Sequence, residues 1–343
     1  MTRFIPRTIH VTTADVSLFV LLRSRLEILR EHGFEVATAS APGPYSRTMI
    51  SAGFRHFVIP ALTRKWRPSA DLKAMAQLYQ TFRTGRYDIV TTYGPKPGIY
   101  GRIAARLAGI PIVAHTNWGL YFSEDSDLYK KLFFLSIEYV AARFGDHVFS
   151  VNRDDMEIMV RFGMVDKNDI TYIGNGTNLN HFNPKRISEL RLSQLRSHFG
   201  LESNKVTVGM VGRLVREKGC FEFFKAAKNL TSRLSGLQFL HVGPLDTDKE
   251  GAVTEEEFHR MQREDKIKFL GMQENMPEIY ALMDVVVLPS HREGFPRSLV
   301  EAAAMGKPLV ASNVRGCREA VEPGVNGFLV AQKDPEVLAE AIT

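Results

Sequence analysis

VTVGMVGRLVREKGCFEFFKAAKNLTSRLSGLQFLHV, residues 206–242, decides the fold. Val206–Val211 is a short β-branched run of buried-strand type. A Gly–Arg turn follows, and Cys220–Ser232 has the length and composition of a helix. Leu237–Val242 is again strand-like. Strand, loop, helix, strand is the βαβ unit of a parallel sheet. Downstream the rhythm continues through strands at Ile267–Leu270, Val285–Leu288 and Leu309–Ser312, with helices at Glu255–Arg263, Pro277–Met283, Ser298–Met305 and Cys317–Val321.

Upstream the same rhythm occupies the first half. Thr8–Thr13, Phe34–Ala39, Asp88–Tyr93, Pro111–Thr116 and His147–Asn152 read as strands. Ser17–His32 places Leu18, Leu22, Leu26 and Leu29 on one helical face and stops at Gly33. Ser69–Thr84, Gly98–Ala108 and Leu128–Phe144 are further helices. Between the halves lies GNGTNLNHFNP, Gly174–Pro184, rich in Asn and Gly and therefore loop, followed by a polar stretch to about Ser203. The expectation is an α/β chain of two doubly wound, Rossmann-like domains with a hinge near 175–203 and a cleft between them. Ligands of such sheets sit at the carboxyl ends of the strands.

Composition narrows the function. With 343 residues, 44% apolar and 24% charged, the chain has the profile of a globular protein of about two domains. No stretch approaches the ~20 apolar residues of a membrane-spanning helix, and the start has no apolar segment of leader length; the expected location is the cytoplasm. Cys220 and Cys317 are the two cysteines, far apart and outside any metal-binding spacing, so they are expected to pack as small apolar side chains. Residues 1–200 hold 26 Lys and Arg against 17 Asp and Glu, net +9, whereas residues 201–343 hold 18 against 21, net −3. A basic first half suits a phosphate-bearing substrate, a membrane surface or a nucleic acid, or is simply a solvated face. No nucleic-acid-binding signature accompanies it. The last residues, Pro335–Thr343, begin a helix behind Asp334 and stop after about two turns, as expected of a shortened chain.

Two segments carry chemistry. SHREGFPRSLVEAAAMGKP, Ser290–Pro308, follows a buried-type strand; Glu293 falls in the loop after it and Glu301 in the first turns of the next helix. The amino end of that helix suits a diphosphate, and the two carboxylates suit sugar hydroxyls. VGRLVREKG, Val211–Gly219, puts Arg213 and Lys218 on a strand-to-helix loop, where they can pair with phosphate oxygens. Each segment alone could be a solvated loop with a first-turn acid. Topology places both at the same end of one sheet. Two D-x-D triplets, Asp125–Asp127 and Asp246–Asp248, sit in polar loop-like segments and read as solvated acids.

GRLVREKG, followed about 75 residues on by the E-x7-E of Glu293 and Glu301, resembles the retaining nucleotide-sugar glycosyltransferases of family 4. VRGCREAVEPGVNGFLV (314–330), the hinge-like GNGTNLNHFNP, YGPKPGIYGRIAARLAGIP (93–111) and HTNWG (115–119) extend the resemblance to nearly the whole chain, most closely to bacterial members that build surface polysaccharides. It implies the GT-B fold: an acceptor-side domain over 1–185, a linker over 186–203 and a donor-binding domain over 204–343. By the same resemblance Arg213 and Lys218 bind the donor diphosphate and act with Glu293 in catalysis, Glu293 touches sugar hydroxyls, and Glu301 holds the ribose. Backbone groups from Gly294, Phe295, Pro296, Arg297, Ser298 and Leu299 line the donor, and Lys96, His115 and Trp118 lie on the acceptor side. The implied activity is transfer of a hexose from a UDP- or GDP-sugar to a polysaccharide or lipid-linked saccharide, at the inner face of the cell membrane, with no metal or other cofactor. A sugar-nucleotide epimerase or a non-catalytic sugar-nucleotide-binding protein are the alternatives. The chain departs from the family pattern at Trp118, where a His is common, at Asn178, where an Asp is usual, and in the short C-terminal end.

Overall fold

A computed structural model describes residues 5–63, 66–122, 126–246, 251–264 and 267–343. The chain forms two compact units, Met1–Ile173 and Gly174–Thr343. In the first, β1 (Arg7–Ala14), β2 (Glu35–Ala41), β3 (Arg55–Val58), β4 (Ile89–Tyr93), β5 (Ile112–Asn117), β6 (His147–Ser150) and β7 (Ile170–Tyr172) make one parallel sheet in the order β3-β2-β1-β4-β5-β6-β7. In the second, β8 (Val206–Val211), β9 (Leu237–Val242), β10 (Ile267–Phe269), β11 (Val285–Leu288), β12 (Leu309–Ser312) and β13 (Gly327–Val330) run parallel in the order β10-β9-β8-β11-β12-β13. This is the expected fold class. The strand order reverses between β1 and β4 in one sheet and between β8 and β11 in the other. At such a switch point the flanking loops diverge and leave a crevice at the carboxyl edge.

Both faces of each sheet are buried under helices, as in parallel sheets generally, although one face of the first sheet also carries the buried polar side chains of Thr8, His10, Thr12, Thr38 and Ser40. Ile9, Val11, Val90 and Val113 pack on one side of the first sheet with Leu78 and Phe82 of helix Pro68–Gly85. Leu18, Leu22 and Leu26, the predicted helical face, are buried on the other side with Val36 and Met49. In the second unit Val208 and Met210 meet Phe223, Ala226 and Leu230 of helix Cys220–Arg233. Opposite them Val286 and Leu288 meet Tyr280, Leu299 and Ala302. Both cysteines are buried and free, as small apolar packing requires.

Residues 186–203, expected to be a linker, contain a helix, Glu189–Phe199. Ser188 Oγ accepts the Arg191 N–H at 3.2 Å, and Gly200 at φ 62° ends the helix. Leu195 joins the core of the second unit beside Phe182 and Leu201. The edge strands β3, β7 and β13 and helix Arg153–Arg161 are further elements that the sequence reading did not place.

Three histidines are buried neutral. His241 on β9 sits between the rings of Phe224 and Phe269, with centroids at 6.2 and 5.9 Å, and neither ring nitrogen has a hydrogen-bond partner. Burial depresses its pKa to about 3, that of His115 to about 3 and that of His10 to about 4. The unfolded chain takes up these protons near pH 6.5. Stability is therefore full above that pH and falls as acidification approaches the folded values. Replacing His241 by Leu should remove about 2 kcal/mol of the loss between pH 6.5 and 5, while leaving neutral-pH stability within about 1 kcal/mol. Urea unfolding across that range measures it; parallel pH profiles for the two proteins would exclude His241 as a source.

Candidate active site

The switch-point crevice of the second unit is bordered by the loops after β8 and β11. The first loop, Gly212–Gly219, ends in a single 3-10 turn, Arg216–Lys218. Gly219 then adopts φ 73°, and a Cβ there would lie 2.0 Å from the Pro289 carbonyl oxygen. Only glycine permits that approach. It sets Lys218 against the second loop, where its Nζ contacts Glu293 Oε1 at 2.5 Å. Ser290 Oγ donates to the same oxygen at 2.7 Å, and Ser312 Oγ, from the end of β12, donates to the Ser290 carbonyl at 2.5 Å. The Glu293 side chain is only 9% exposed, so these donors offset the loss of its hydration. Gly316 completes the seat: a Cβ there would lie 2.6 Å from the Glu293 backbone.

Further ion pairs involve the same loops. Arg213 Nη1 donates to Asp246 Oδ2 at 2.5 Å. Asp246 is thus engaged rather than solvated as the sequence suggested; Asp125 and Asp248, the outer members of the two triplets, lie outside the described residues. Arg292 pairs with Glu217 at 2.6 Å, and His291 Nε2 meets Glu222 Oε1 at 3.0 Å. Burial would raise the Glu222 pKa, but the His291 hydrogen bond and nearby cations bring it below the usual range. Burial raises the Cys317 thiol well above its ordinary value, reinforced by the Glu293 charge, which leaves the thiol inert.

Helix Arg297–Ala304 begins beside this loop with Pro296 at its N-cap and no capping side chain. Pro296 has no N–H, and the Leu299 N–H donates to the Pro296 carbonyl at 3.2 Å while its side chain is core. Within the predicted run Gly294–Leu299, Pro296 therefore offers no N–H and the Leu299 N–H is engaged within the chain. Asn175 Nδ2 donates to the Phe295 carbonyl at 3.0 Å. Glu301 accepts from Tyr280 Oη at 3.0 Å and pairs with Arg297 at 3.2 Å. Burial raises its pKa, and Arg297 works against that rise. Arg213, Lys218, Glu293, Glu301 and the helix start thus belong to one edge of one sheet. Ser312, Gly316, Asp246 and Tyr280 join the site through contacts between distant segments, which nothing local in the sequence marks; Ser290 lies three residues before Glu293 and is an ordinary loop serine in the sequence.

Lys96, His115 and Trp118 belong to the first unit. Lys96, after β4, is buried: its Nζ pairs with Asp71 Oδ1 at 2.6 Å and lies 5.2 Å from the Trp66 ring centroid. His115 on β5 hydrogen-bonds through Nδ1 to Thr92 Oγ1 at 2.9 Å. The Trp118 ring packs on Tyr93 with centroids 5.2 Å apart. His115, Trp66, Tyr121, Phe134 and Glu138 border a recess of about 420 Å³, open to solvent. Beneath it Arg102, fully buried, pairs with Glu138 at 2.6 Å.

Two family models match the chain: Glycosyl transferase 4-like domain over residues 22–176 and Glycosyl transferases group 1 over residues 205–343. The chain is 32% identical over 324 residues to UDP-Gal:alpha-D-GlcNAc-diphosphoundecaprenol alpha-1,3-galactosyltransferase of Escherichia coli, covering 92% of this chain and 81% of the relative. It is 28% identical over 334 residues to the capsular polysaccharide biosynthesis glycosyltransferase CapM of Staphylococcus aureus, covering 97% and 86%. The structure of Anabaena Alr3699/HepE in complex with UDP and glucose superposes with a TM-score of 0.78 at 23% identity, over 98% of this chain and 89% of that one. That likeness shows the GT-B fold.

Proposed function

The chain belongs to the group 1, family 4 glycosyltransferases, and we propose that it moves a hexose from a UDP- or GDP-sugar onto a saccharide carried by a polyprenyl diphosphate, retaining the anomeric configuration, in cell-surface polysaccharide synthesis. The observation that carries this reading is the convergence of Lys218 and Glu293 from adjacent loops at the switch point, with Glu301 on the helix that follows. The E. coli relative, named for a UDP-galactose donor and a diphosphoundecaprenol-linked acceptor, supports the donor and acceptor classes.

In this mechanism the bond between the anomeric carbon and the donor diphosphate breaks with its electron pair on the diphosphate. The acceptor hydroxyl oxygen bonds to that carbon on the face the diphosphate leaves and passes its proton to the departing diphosphate oxygen. Growing negative charge on the leaving group is stabilised by Arg213, Lys218 and the amino end of helix Arg297–Ala304. Asp246 and Glu293 hold the two cations in place beforehand. Lys218 and Ser290 both converge on Glu293 Oε1, which leaves Oε2 to accept from a sugar hydroxyl. Each oxygen of Glu301 has a second lone pair beyond Arg297 and Tyr280, suited to the ribose hydroxyls. On the acceptor side we assign the recess beside His115, next to Trp118. Lys96, spent on Asp71, positions Trp66 rather than touching the acceptor. A lipid-linked acceptor puts the enzyme at the inner face of the membrane, and no metal or cofactor takes part.

Glu293→Ala and Lys218→Ala should each lower turnover about 10²- to 10³-fold with unchanged circular dichroism; transfer at the wild-type rate by both variants would reject the assignment. A panel of UDP-, GDP-, ADP- and TDP-sugars, scored by thermal shift, should stabilise the protein with a UDP- or GDP-sugar, and the anomeric configuration of the product, read by NMR, should match that of the donor. Chelator should leave the transfer rate unchanged. A loss under chelator that magnesium restores would overturn the metal-free mechanism.

A further inference from the structure

Helix Leu128–Ala142 is apolar on two opposite sides. Its inner side is fastened to the first unit: Phe134, Leu135 and Ala142 pack against the core around Phe122 and Val148, and Glu138 pairs with Arg102. Its outer side has no cover among the described residues. Leu128, Tyr129, Leu132, Phe133, Tyr139 and Val140 are 70, 81, 53, 50, 42 and 55% exposed. At about 100° per residue these positions fall within one continuous stripe, with Ser136 its one polar member. Apolar side chains this large, gathered on one solvent-facing stripe, mark an interaction surface rather than the scattered exposure of an ordinary helix.

Charge indicates what covers it. Lys130 and Lys131 stand in its first turn, and Arg143 follows its last residue with its guanidinium 4.4 Å from the Tyr139 ring centroid. The helix's single acid, Glu138, turns inward to Arg102. The whole excess of positive charge resides in this unit: residues 1–173 hold 22 Lys and Arg against 16 Asp and Glu, whereas residues 174–343 hold 22 of each. Leu and Phe flanked by Tyr, Lys and Arg suit a surface half in acyl chain and half among anionic headgroups. The helix is about 22 Å long and no described helix is long and apolar enough to cross a membrane, so it would lie in the plane of the bilayer. Its other side contributes Phe134, Ile137 and Glu138 to the recess beside His115.

We infer that the outer stripe of helix Leu128–Ala142 docks on an anionic lipid surface and so brings the recess to the membrane, an inference that rests on the lipid-borne acceptor proposed above. The test is sedimentation with vesicles of phosphatidylcholine alone or with roughly one third phosphatidylglycerol, without donor or acceptor, so that this inference and the transferase reading fail separately. The protein should sediment with the anionic vesicles, less so as salt is raised. The double variant Tyr129→Glu, Phe133→Glu should bind them about tenfold or more weakly with an unchanged thermal transition; Tyr129→Ser, Phe133→Ser serves where the charged pair fails to fold. Wild-type binding to no vesicle, or equal binding by the variants, overturns the inference. So does a concentration-dependent dimer that the variants abolish without any vesicle binding, since the stripe would then face a second copy of the chain.

Discussion

The contact between Lys218 Nζ and Glu293 Oε1 is the constraint around which the second unit is organised. A carboxylate this buried would be strongly unfavourable if left alone, because a single oxygen-rich group out of water loses several kcal/mol of hydration. The fold meets that requirement from three chain segments at once. Lys218 comes from the β8 loop, Ser290 from the end of β11, and Ser312 holds the Ser290 carbonyl from the end of β12. Gly219 and Gly316 let the backbones close to the distances these bonds need. A parallel sheet whose strand order reverses at β8 and β11 supplies the geometry, since adjacent strands then send their loops to opposite sides.

The first unit solves a related problem differently. Its buried cations are spent on buried acids: Lys96 on Asp71, and Arg102 on Glu138. Tyr100 hydrogen-bonds to Asp71, and burial together with that carboxylate pushes its phenol up to about 12. Such pairs contribute little net stability against apolar replacements, but removing one partner leaves an uncompensated charge. Their use here is to fix shape. Lys96 lies beneath Trp66, whose ring meets Tyr121 edge-on and Phe134 at a tilt at the recess, with centroids at 6.2 and 6.4 Å. The recess is thus bordered by the aromatic rings of Trp66, Tyr121, Phe122 and Phe134.

Much of this was legible in the sequence because parallel strands announce themselves as short β-branched runs between helical segments. The strands that escaped are edges. β3 is RHFV, half exposed and charged, and β7 is three residues long. Helix Glu189–Phe199 was hidden because only Leu195 is buried, so its apolar period is faint, although Ser188 and Gly200 are legitimate end signals. At the site, Glu293 and Lys218 were readable because each follows a strand of strong pattern. Asp246 and Ser312 were not, because their partners lie 33 and 22 residues away and nothing local marks the pairing. The same limit applies to Lys96: P-K-P looks like an open loop until Asp71 is brought up from helix Pro68–Gly85.

Helix Leu128–Ala142 illustrates why periodicity alone is insufficient. LYKKLFFLSIEYVAA is nearly apolar all round, a pattern usually belonging to a helix buried on every side. Here one side is buried by the unit and the other is not. Burying an apolar side chain is worth about 1.5–3 kcal/mol relative to leaving it exposed, so six large exposed ones forgo a sum comparable to the net stability of a domain. Folding alone gives no reason to place them there, because polar residues would hold the same helix through its inner side. The composition of the outer stripe is therefore set by what it meets after folding. The neutral second unit and the net +6 of the first divide the molecule in the same sense. Charge is locally paired where a diphosphate is proposed to bind, while the net positive charge resides in the unit that carries the stripe.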